Sequence, residues 1–339
     1  MRLMTLKLFG AALAGVLILS GCDNGKSFEP KDVFKLNAKA TSYTTQIVSQ
    51  SRYGASLLDG HFIDRYGVSK ITLPKGYEYL NSTKDRVICS SDTSLRVINR
   101  ATTKTLTDIN TTISTISATS KNNLLAYILG NNSFGLYNTK TKKTIIESQV
   151  GDSVAINTKA AAPIFIDNLA VMPMLDGKLV IVDINDVENA NVVYISSQSV
   201  FNNVIYLSRI GDNLVAATQY KLITLGTIGE FEYASNLSDI AINKGYIYLF
   251  AKDGTIVKLD IKLNKIASAK FDYARYSAVS AFDDKVVALD KTGALIVLNS
   301  DLTKHRIYDI GEVENPVYIN ANKLYKDGKI IDLSQISYE

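Results

Sequence analysis

The sequence predicts an all-β protein, and more specifically an eight-bladed β-propeller. Thr, Val, Ile and Tyr dominate residues 33–339, as β-strands prefer, and no long apolar stripe with helical spacing stands out. One hairpin unit, a tight turn between two apolar strands, recurs eight times. The mean spacing of these turns is about 38 residues, which is typical of propeller blades with four strands each.

Three copies of the hairpin are clear, and in each of them the strand after the turn ends at Asp or Asn. They are Leu175–Asp183, Lys252–Asp260 and Lys291–Asn299. Weaker copies turn at Asp92-Thr93, Asn131-Asn132, Tyr220-Lys221 and Asp327-Gly328, and the least regular copy turns at Asp59-Gly60. Gly and Asn tolerate the positive φ that such turns need, and the Asp or Asn that ends the strand can accept backbone N–H bonds from the next turn.

Eight copies predict eight blades, with seven blades as the alternative. A β-sandwich or two stacked barrels would not repeat one hairpin signature eight times. The last repeat, Lys323–Leu333, leaves room for only two or three strands before the chain ends. The segment Val33–Gln50 has strand character and would supply the missing strand. We therefore expect residues 33–339 to form one propeller domain, closed by pairing of the N- and C-terminal strands, which removes a free sheet edge.

The first 21 residues have the pattern of a secretion signal. Arg2 and Lys7 supply positive charge, and Leu8–Leu19 is an apolar stretch of 12 residues. That stretch is shorter than the roughly 20 residues needed to span a bilayer as a helix. We expect residues 1–21 to be a signal peptide, with an uncleaved anchor as the alternative.

A lipidation motif follows directly. Leu19-Ser20-Gly21-Cys22 resembles the bacterial lipobox, in which the cysteine is acylated, with palmitate among the possible chains, and becomes the first residue of the mature protein. The resemblance implies a lipid anchor on Cys22, and several acyl chains would make that anchor essentially permanent. A secretory peptide with a chance cysteine is the alternative. Residues 22–32 are polar, contain Gly and Pro, and are interpreted as a tether.

Composition and motifs argue against nucleic-acid binding and catalysis. The 37 basic residues are balanced by 33 acidic ones, and no run reaches five like charges. The two histidines, His61 and His305, are far apart in sequence, and no nucleophile elbow, Walker A motif or dinucleotide fingerprint occurs. We expect no catalytic residues, no metal and no cofactor. A lyase or hydrolase in the central channel stays open as an alternative. Cys89 lies between apolar residues and is predicted to be a buried free thiol.

The repeats resemble the PQQ-like propeller repeat, although the later Gly of that repeat is usually replaced here, as in Asp260–Lys265. The chain has no Trp, whereas quinoprotein dehydrogenases of that superfamily carry a docking Trp in their blades, so the resemblance implies no quinone cofactor. The lipobox, the tether and the eight-bladed ring together resemble the BamB-type lipoproteins, and this resemblance is strongest over Ser235–Asp309.

The resemblance implies a non-catalytic lipoprotein, anchored in the membrane through its lipid with the propeller in the periplasm. It would act as a protein-interaction scaffold, as a monomer within a complex, and assist assembly of outer-membrane β-barrels. Its partners would be periplasmic domains of a barrel-assembly subunit. The outer membrane is favoured, although Asp23 leaves the inner membrane open. The family's Leu/Arg partner loop is matched only by Leu207-Ser208-Arg209, so no contact residues are predicted. The alternative is an envelope scaffold or surface adhesin lipoprotein that uses the propeller face for another protein.

One modification site is also predicted. Asp108-Ile109-Asn110-Thr111-Thr112 resembles the acidic extended sequon of some bacterial N-glycosylation systems, with Asn110 as the acceptor. It is expected to lie in a Thr-rich loop after the second repeat. An unmodified polar loop is the alternative.

Overall fold

Eight small sheets, antiparallel except for one added strand, make up the part of the protein that the structure describes. The computed structural model describes residues 26–43, 45–149, 151, 159–198 and 202–339, and within these ranges it contains β-strands and no helix. Two short strands, β1 (Phe34–Lys35) and β2 (Ala40–Ser42), precede the blades.

The strands of blades 1 to 4 follow in chain order. Blade 1 consists of β3 (Ile47–Ser51), β4 (Gly54–Leu57), β5 (Phe62–Asp64) and β6 (Gly67–Val68), and blade 2 of β7 (Glu78–Ser82), β8 (Arg86–Ser90), β9 (Ser94–Asn99) and β10 (Thr105–Asn110). Blade 3 consists of β11 (Thr115–Lys121), β12 (Leu124–Leu129), β13 (Ser133–Asn138) and β14 (Lys143–Gln149), and blade 4 of β15 (Ile164–Ile166), β16 (Leu169–Pro173), β17 (Lys178–Asp183) and β18 (Asp186–Tyr194).

Blades 5 to 7 continue in the same order, and blade 8 has three strands of its own. Blade 5 consists of β19 (Tyr206–Ile210), β20 (Asn213–Ala217), β21 (Lys221–Gly226) and β22 (Gly229–Ala234), and blade 6 of β23 (Leu237–Asn243), β24 (Tyr246–Ala251), β25 (Thr255–Leu259) and β26 (Lys265–Lys270). Blade 7 contains β27 (Tyr276–Phe282), β28 (Lys285–Asp290), β29 (Ala294–Asn299) and β30 (His305–Asp309), and blade 8 contains β31 (Tyr318–Asn320), β32 (Lys323–Lys326) and β33 (Lys329–Asp332).

The eight predicted turns all connect the second and third strands of a blade, as the repeat indicated. Gly254 has a φ of 83°, and a Cβ placed there would lie 1.9 Å from the carbonyl oxygen of Phe271, so only glycine fits. At the end of the following strand, the carboxylate of Asp260 accepts the backbone N–H of Lys262 at 2.8 Å. In this blade, the predicted roles of the turn glycine and of the Asp that ends the next strand are therefore confirmed.

The antiparallel order of the strands defines two faces of the ring. The upper face carries the turns between second and third strands and the connections from one blade to the next. The lower face carries the turns between first and second strands and between third and fourth strands. The first strand of each blade lines the central channel, and the fourth lies at the periphery.

Each pair of neighbouring blades shares one cluster of buried apolar side chains, which gives eight clusters around the ring among the described residues. The cluster between blades 1 and 2 contains Phe62 stacked on Tyr79, with ring centres 4.9 Å apart, and the free thiol of Cys89. Because each interface between neighbouring blades has its own core, the ring is closed with eight blades, as predicted. The predicted burial of Cys89 is also confirmed. Burial raises the pKa of Cys89 to about 12.

Strand β2 completes blade 8 by pairing antiparallel with β33, which confirms the predicted closure. The backbone N–H of Tyr43 donates to the carbonyl of Gly328 at 2.8 Å, and its ring meets that of Tyr325 edge-on at 6.1 Å. The sequence did not predict β1, which adds to β30 in parallel as a fifth strand of blade 7. Each end of the chain therefore stabilises the other.

The segment before β1 also contacts the propeller. Phe28, which lies in the residues interpreted as a tether, is buried, and its ring meets Phe271 edge-on at 6.1 Å. Phe34 in β1 lies under the guanidinium of Arg306, 4.4 Å from ring centre to Cζ. The chain thus contacts the connection between blades 6 and 7 from Lys26, whose ammonium donates to the hydroxyl of Tyr273 at 3.3 Å.

Polar contacts tie adjacent blades where the apolar clusters end. The carboxylate of Asp64 in blade 1 is almost fully buried, forms an ion pair with Arg100 of blade 2, and accepts a hydrogen bond from Ser82 at 3.0 Å. Between blades 6 and 7, the ammonium of Lys258 lies 2.7 Å from the carboxylate of Asp301. Because each buried charge has a partner, the interfaces between blades carry no uncompensated charge at these points.

Candidate interaction site at the central channel

The first turn of blade 1 bridges the central channel. Arg52 and Tyr53 connect β3 to β4, and their side chains reach the far side of the ring. The hydroxyl of Tyr53 accepts a hydrogen bond from the backbone N–H of Ala162, just before blade 4, at 2.8 Å. The guanidinium of Arg52 lies 4.9 Å from the ring centre of Tyr206 in blade 5. Blade 1 is therefore joined to blades on the opposite side of the ring.

Asp239 on β23 of blade 6 is the anionic centre of this bridge. Its Oδ1 lies 2.6 Å from Nη2 of Arg52, and its Oδ2 lies 2.5 Å from Nζ of Lys159. The side chains of Asp239 and Arg52 are only 10% and 12% exposed. Burial disfavours the charged carboxylate, but the two cations outweigh this effect and hold the pKa of Asp239 well below its ordinary value. One carboxylate in the channel therefore contacts two cations, one through each of its oxygens.

The tyrosines beside this ion cluster are neutral near pH 7. Burial raises the pKa of Tyr206 to about 12, and burial also raises the pKa of Tyr53. Asp239 is ionised under the same conditions. These three groups therefore provide fixed charge and hydrogen-bonding capacity, which suits binding, and none of them has a pKa matched to proton transfer near neutral pH.

A cavity of about 630 Å³ lies next to the bridge and opens on the upper face over blades 6, 7 and 8. Val313, Pro316 and Val317 give it an apolar wall. Its lining also includes four basic side chains from four different connections or turns and, among the described residues, no carboxylate. The basic residues are Lys159, Lys252, Arg275 and Lys291.

The basic residues at this cavity differ in their hydrogen-bond and ion-pair partners. Lys159 is paired with Asp239. The ammonium of Lys252 donates to the side-chain amide oxygen of Gln219, which is a neutral partner. Lys252, Arg275 and Lys291 are exposed to solvent, so a ligand entering from the upper face meets them first. Two smaller cavities, of about 470 and 330 Å³, flank the Arg52–Tyr53 turn.

The predicted site residues lie elsewhere. Cys22 and the predicted signal peptide over residues 1–21 fall outside the described residues. Asn110 is exposed but is the last residue of β10, the outer strand of blade 2, so its placement in a loop was wrong. Alternation of Thr107 and Ile109 with more exposed neighbours suits an outer strand paired on one side only. Leu207–Arg209 lies in β19 on the channel wall.

Two further searches cover only the described part of the chain. No group of three or more His, Cys, Asp or Glu side chains there is placed to hold a metal ion. No helix within the same ranges has the length and apolar character needed to cross a membrane.

The ring matches solved propellers along almost its whole length. BamB from Moraxella catarrhalis aligns with 86% of this chain and 99% of its own, with a TM-score of 0.64 and 13% sequence identity. The chain has the fold of BamB. The C-terminal WD40 domain of Sif2 aligns with 88% of this chain and 99% of its own, with a TM-score of 0.65 and 11% identity. The expected BamB-type propeller is confirmed, and at these identities the likeness concerns the fold alone.

Sequence similarity points to a different set of proteins. No protein-family model matches the chain. Two curated proteins from Helicobacter pylori strains, both named plasminogen-binding protein PgbB, are each 28% identical to it. Each alignment covers 98% of this chain and 70% of the relative. The similarity therefore extends over the entire propeller and is not confined to a local motif.

Proposed function

We propose that this chain is a non-catalytic, envelope-anchored propeller that binds a protein partner, and that plasminogen is such a partner. The observation that carries this proposal is the 28% identity to the plasminogen-binding relatives over 98% of the chain. It favours the surface-adhesin alternative among the functions considered from the sequence. The shape of the molecule supports the proposal, because a closed ring offers a broad upper face with a recessed centre that is lined in part by basic side chains.

The proposed attachment is a lipid on Cys22 after removal of residues 1–21. Because Phe28 packs against Phe271 and Lys26 contacts Tyr273, only residues 22–25 would separate the anchor from the first contact with the propeller. The propeller would therefore lie close to the membrane surface. Replacement Cys22→Ser tests the anchor: the wild-type chain should fractionate with membranes and label with a palmitate analogue, and the variant should do neither. Equal fractionation of the two chains would contradict lipid anchoring.

Plasminogen binding is tested directly with purified protein. The chain from residue 26 is immobilised, and binding of plasminogen is measured by surface plasmon resonance, with serum albumin as the control analyte. We expect saturable binding of plasminogen alone. On intact cells, a protease that cannot enter the envelope should remove the propeller. A protected propeller, or no binding of plasminogen at micromolar concentration, would contradict a surface role.

A second candidate is assistance to β-barrel assembly, which the fold of BamB and the lipobox favour. In this case the propeller would face the periplasm, and the outer membrane would be the site of the anchor unless Asp23 directs retention in the inner membrane. Cross-linking in the native envelope followed by affinity purification tests it. Reproducible recovery of a barrel-assembly subunit, together with protection from external protease, would support this candidate over plasminogen binding.

A further inference from the structure

We propose that the outer rim of the propeller between blades 6 and 7 rests directly on a bilayer of zwitterionic phospholipid. This inference rests on the proposed lipid on Cys22 and deepens it by naming the surface that meets the membrane. It starts from the place where the N-terminal segment reaches the propeller. Lys26 and Phe28 contact Tyr273 and Phe271, both in the connection between blades 6 and 7.

The chain between the proposed anchor and this contact is short. Only residues 23–25 separate Cys22 from Lys26, and four residue steps span at most about 14 Å in a fully extended chain. The rim that holds Lys26 therefore stays within this distance of the residue that carries the lipid. A rim held so close to a bilayer meets it repeatedly, so even a weak affinity for the membrane surface would keep the two in contact.

The contact lies on the periphery of the ring and on neither face. Phe28 packs against Phe271, which follows β26, and lines a cavity together with Ile307 of β30. Strands β26 and β30 are the fourth strands of blades 6 and 7, and β1 is added outside β30. The N-terminal segment therefore covers the outer edge of these two blades.

Exposed aromatic rings at this rim are paired with cations. The ring of Tyr273 is half exposed, with Nζ of Lys26 at 5.4 Å from its centre. The ring of Phe34 is 44% exposed and lies under Arg306, and its neighbour Val33 is exposed as well. Such side chains suit the boundary between lipid and water, because an aromatic ring can lie among the headgroups while a long basic side chain reaches phosphate and water.

The ionic side chains around these rings balance each other. Two cavities, of about 480 and 450 Å³, adjoin Phe28 on its two sides. The cationic side chains that line them are Lys26, Lys31, Lys270 and Arg306, and the carboxylate side chains are Glu29, Asp32, Asp272 and Glu339. A surface with equal numbers of both charges fits zwitterionic headgroups, which offer a phosphate to the cations and an ammonium to the carboxylates. It gives no reason to prefer anionic lipid.

Contact through the rim also sets the orientation of the ring. A propeller that rests on the edge of blades 6 and 7 stands with its channel axis roughly parallel to the membrane. Both faces, and the cavities at the central channel, then stay open to a protein partner. A propeller lying flat would cover one face instead.

The experiment measures how close single tryptophans come to the lipid, because the wild-type chain has none. The chain from Cys22 is coupled through that thiol to a maleimide lipid in phosphatidylcholine vesicles, and Cys89 is buried and should not react. Lipids brominated near the headgroup then quench the fluorescence of nearby indoles. We expect Tyr273→Trp and Phe34→Trp each to lose at least about half of their emission, because both indoles would lie at the interface. Circular dichroism checks that each variant is folded.

The matched control is Tyr194→Trp at the rim of blade 4. Tyr194 is also an exposed tyrosine with a lysine over its ring, since Nζ of Lys178 lies 5.5 Å from the ring centre. It differs in its distance from the proposed anchor, which reaches the ring three blades away. We expect bromolipids to quench this variant by less than about a tenth, because its indole would remain in water.

Two further variants test whether the ring lies flat. Leu58→Trp replaces an exposed side chain in the upper turn of blade 1, and Tyr246→Trp replaces one beside the lower turn of blade 6. Both should be quenched as little as Tyr194→Trp. Stronger quenching of either variant than of Tyr273→Trp would place that face on the membrane and overturn the inference.

Other results would overturn it as well. Equal quenching of Tyr273→Trp and Tyr194→Trp would show that the tethered propeller has no preferred side. Quenching that requires phosphatidylglycerol and disappears in about 0.5 M NaCl would replace the zwitterionic contact by an attraction between opposite charges. Because the lipid is coupled chemically, these results are separate from anchoring in cells. A Cys22 that labels with the palmitate analogue in cells, combined with no quenching on vesicles, overturns only this inference, whereas an unlabelled Cys22 overturns the anchor and this inference with it.

Discussion

Arg52 and Asp239 form an ion pair across the central channel, with 2.6 Å between Nη2 and Oδ1, although 187 residues separate them in sequence. Blades 1 and 6 are not neighbours in the ring, so this contact adds a direct connection to those that run from blade to blade. Lys159 binds the other oxygen of the same carboxylate. The channel of this propeller therefore has a charged cross-link as well as the apolar clusters between blades.

The cross-link should contribute measurably to stability. Removing one member of a buried ion pair typically costs 3–5 kcal/mol, and since Lys159 remains bound to Asp239, we expect Arg52→Met to lower the free energy of unfolding by about 3 kcal/mol. Urea unfolding followed by circular dichroism measures this change. The control is Arg209→Met, which breaks an exposed pair with Asp212 and should cost less than about 1 kcal/mol. Equal losses in the two variants would show that the cross-link has no special role.

Acid should weaken the same cross-link. The pKa of Asp239 is lower in the folded than in the unfolded chain, so its contribution is present above the unfolded value of about 4 and is lost as the pH falls through the folded value. We therefore expect the stability difference between wild type and Asp239→Asn to shrink steadily from pH 5 to pH 2. Urea unfolding at a series of pH values measures it, with Asp212→Asn as the control. A difference that does not change with pH would contradict the assignment.

Closure of the ring by β2 gives a third prediction. A chain that begins at residue 44 lacks β1, β2 and Tyr43, so blade 8 loses its outer strand and part of the cluster it shares with blade 1. We expect a loss of at least about 3 kcal/mol, by analogy with removal of a buried aromatic side chain, and a broader thermal transition. A chain that begins at residue 33 keeps β1 and β2 but lacks Phe28, and should lose less. Identical, equally cooperative transitions for the two truncated chains would refute closure by β2.

The repeats were sufficient to predict the ring, because each hairpin carries its own turn residues and each turn recurs at the spacing of a blade. The site could not be predicted in the same way. The reach of Arg52 depends on which blade lies opposite, and no local pattern encodes that. Strand β1 has two residues, too few to show any alternation.

A partial signal for the basic cavity is visible in the sequence. Lys252 and Lys291 each stand two residues before the turn glycine of consecutive clear repeats, so both lie at the same position of a blade on the same face. Only the assembled ring shows that Lys159, from a connection on blade 4, and Arg275 converge with them. Basic residues at matching repeat positions are therefore informative once a propeller is recognised.

Cys89 should be unreactive until the protein unfolds. Its side chain is fully buried and burial raises the thiol pKa to about 12, so neither access nor thiolate is available near neutral pH. In the chain from residue 26, which lacks Cys22, we expect negligible reaction with Ellman's reagent at pH 8 and one thiol per chain in 6 M guanidinium chloride. The control is Lys140→Cys, an exposed position that should react within minutes. Equal rates at both positions would contradict the packing between blades 1 and 2.

The predicted glycosylation at Asn110 can be tested on a single peptide. Trypsin releases residues 105–121, in which Asn110 is the only acceptor, and residues 122–140, in which Asn131 fits only the short sequon. If the acidic sequon is used, protein from the native source should carry an added glycan mass on the first peptide and none on the second. Asn110→Gln should abolish the added mass. If peptide 105–121 carries no glycan, the prediction is refuted. If both peptides are modified equally, Asp108 is not needed for recognition of the sequon.

The fold adds a constraint on when this modification would occur. In the folded chain, the carboxylate of Asp108 is held by the guanidinium of Arg96, with Nε at 2.9 Å, and by the hydroxyl of Ser94. A transferase that reads this acid would have to displace Arg96, so we expect transfer to precede folding of blade 2. Purified, folded chain should therefore be a poor acceptor in vitro compared with the isolated peptide 105–121. Equal rates for the folded chain and the peptide would contradict this order of events.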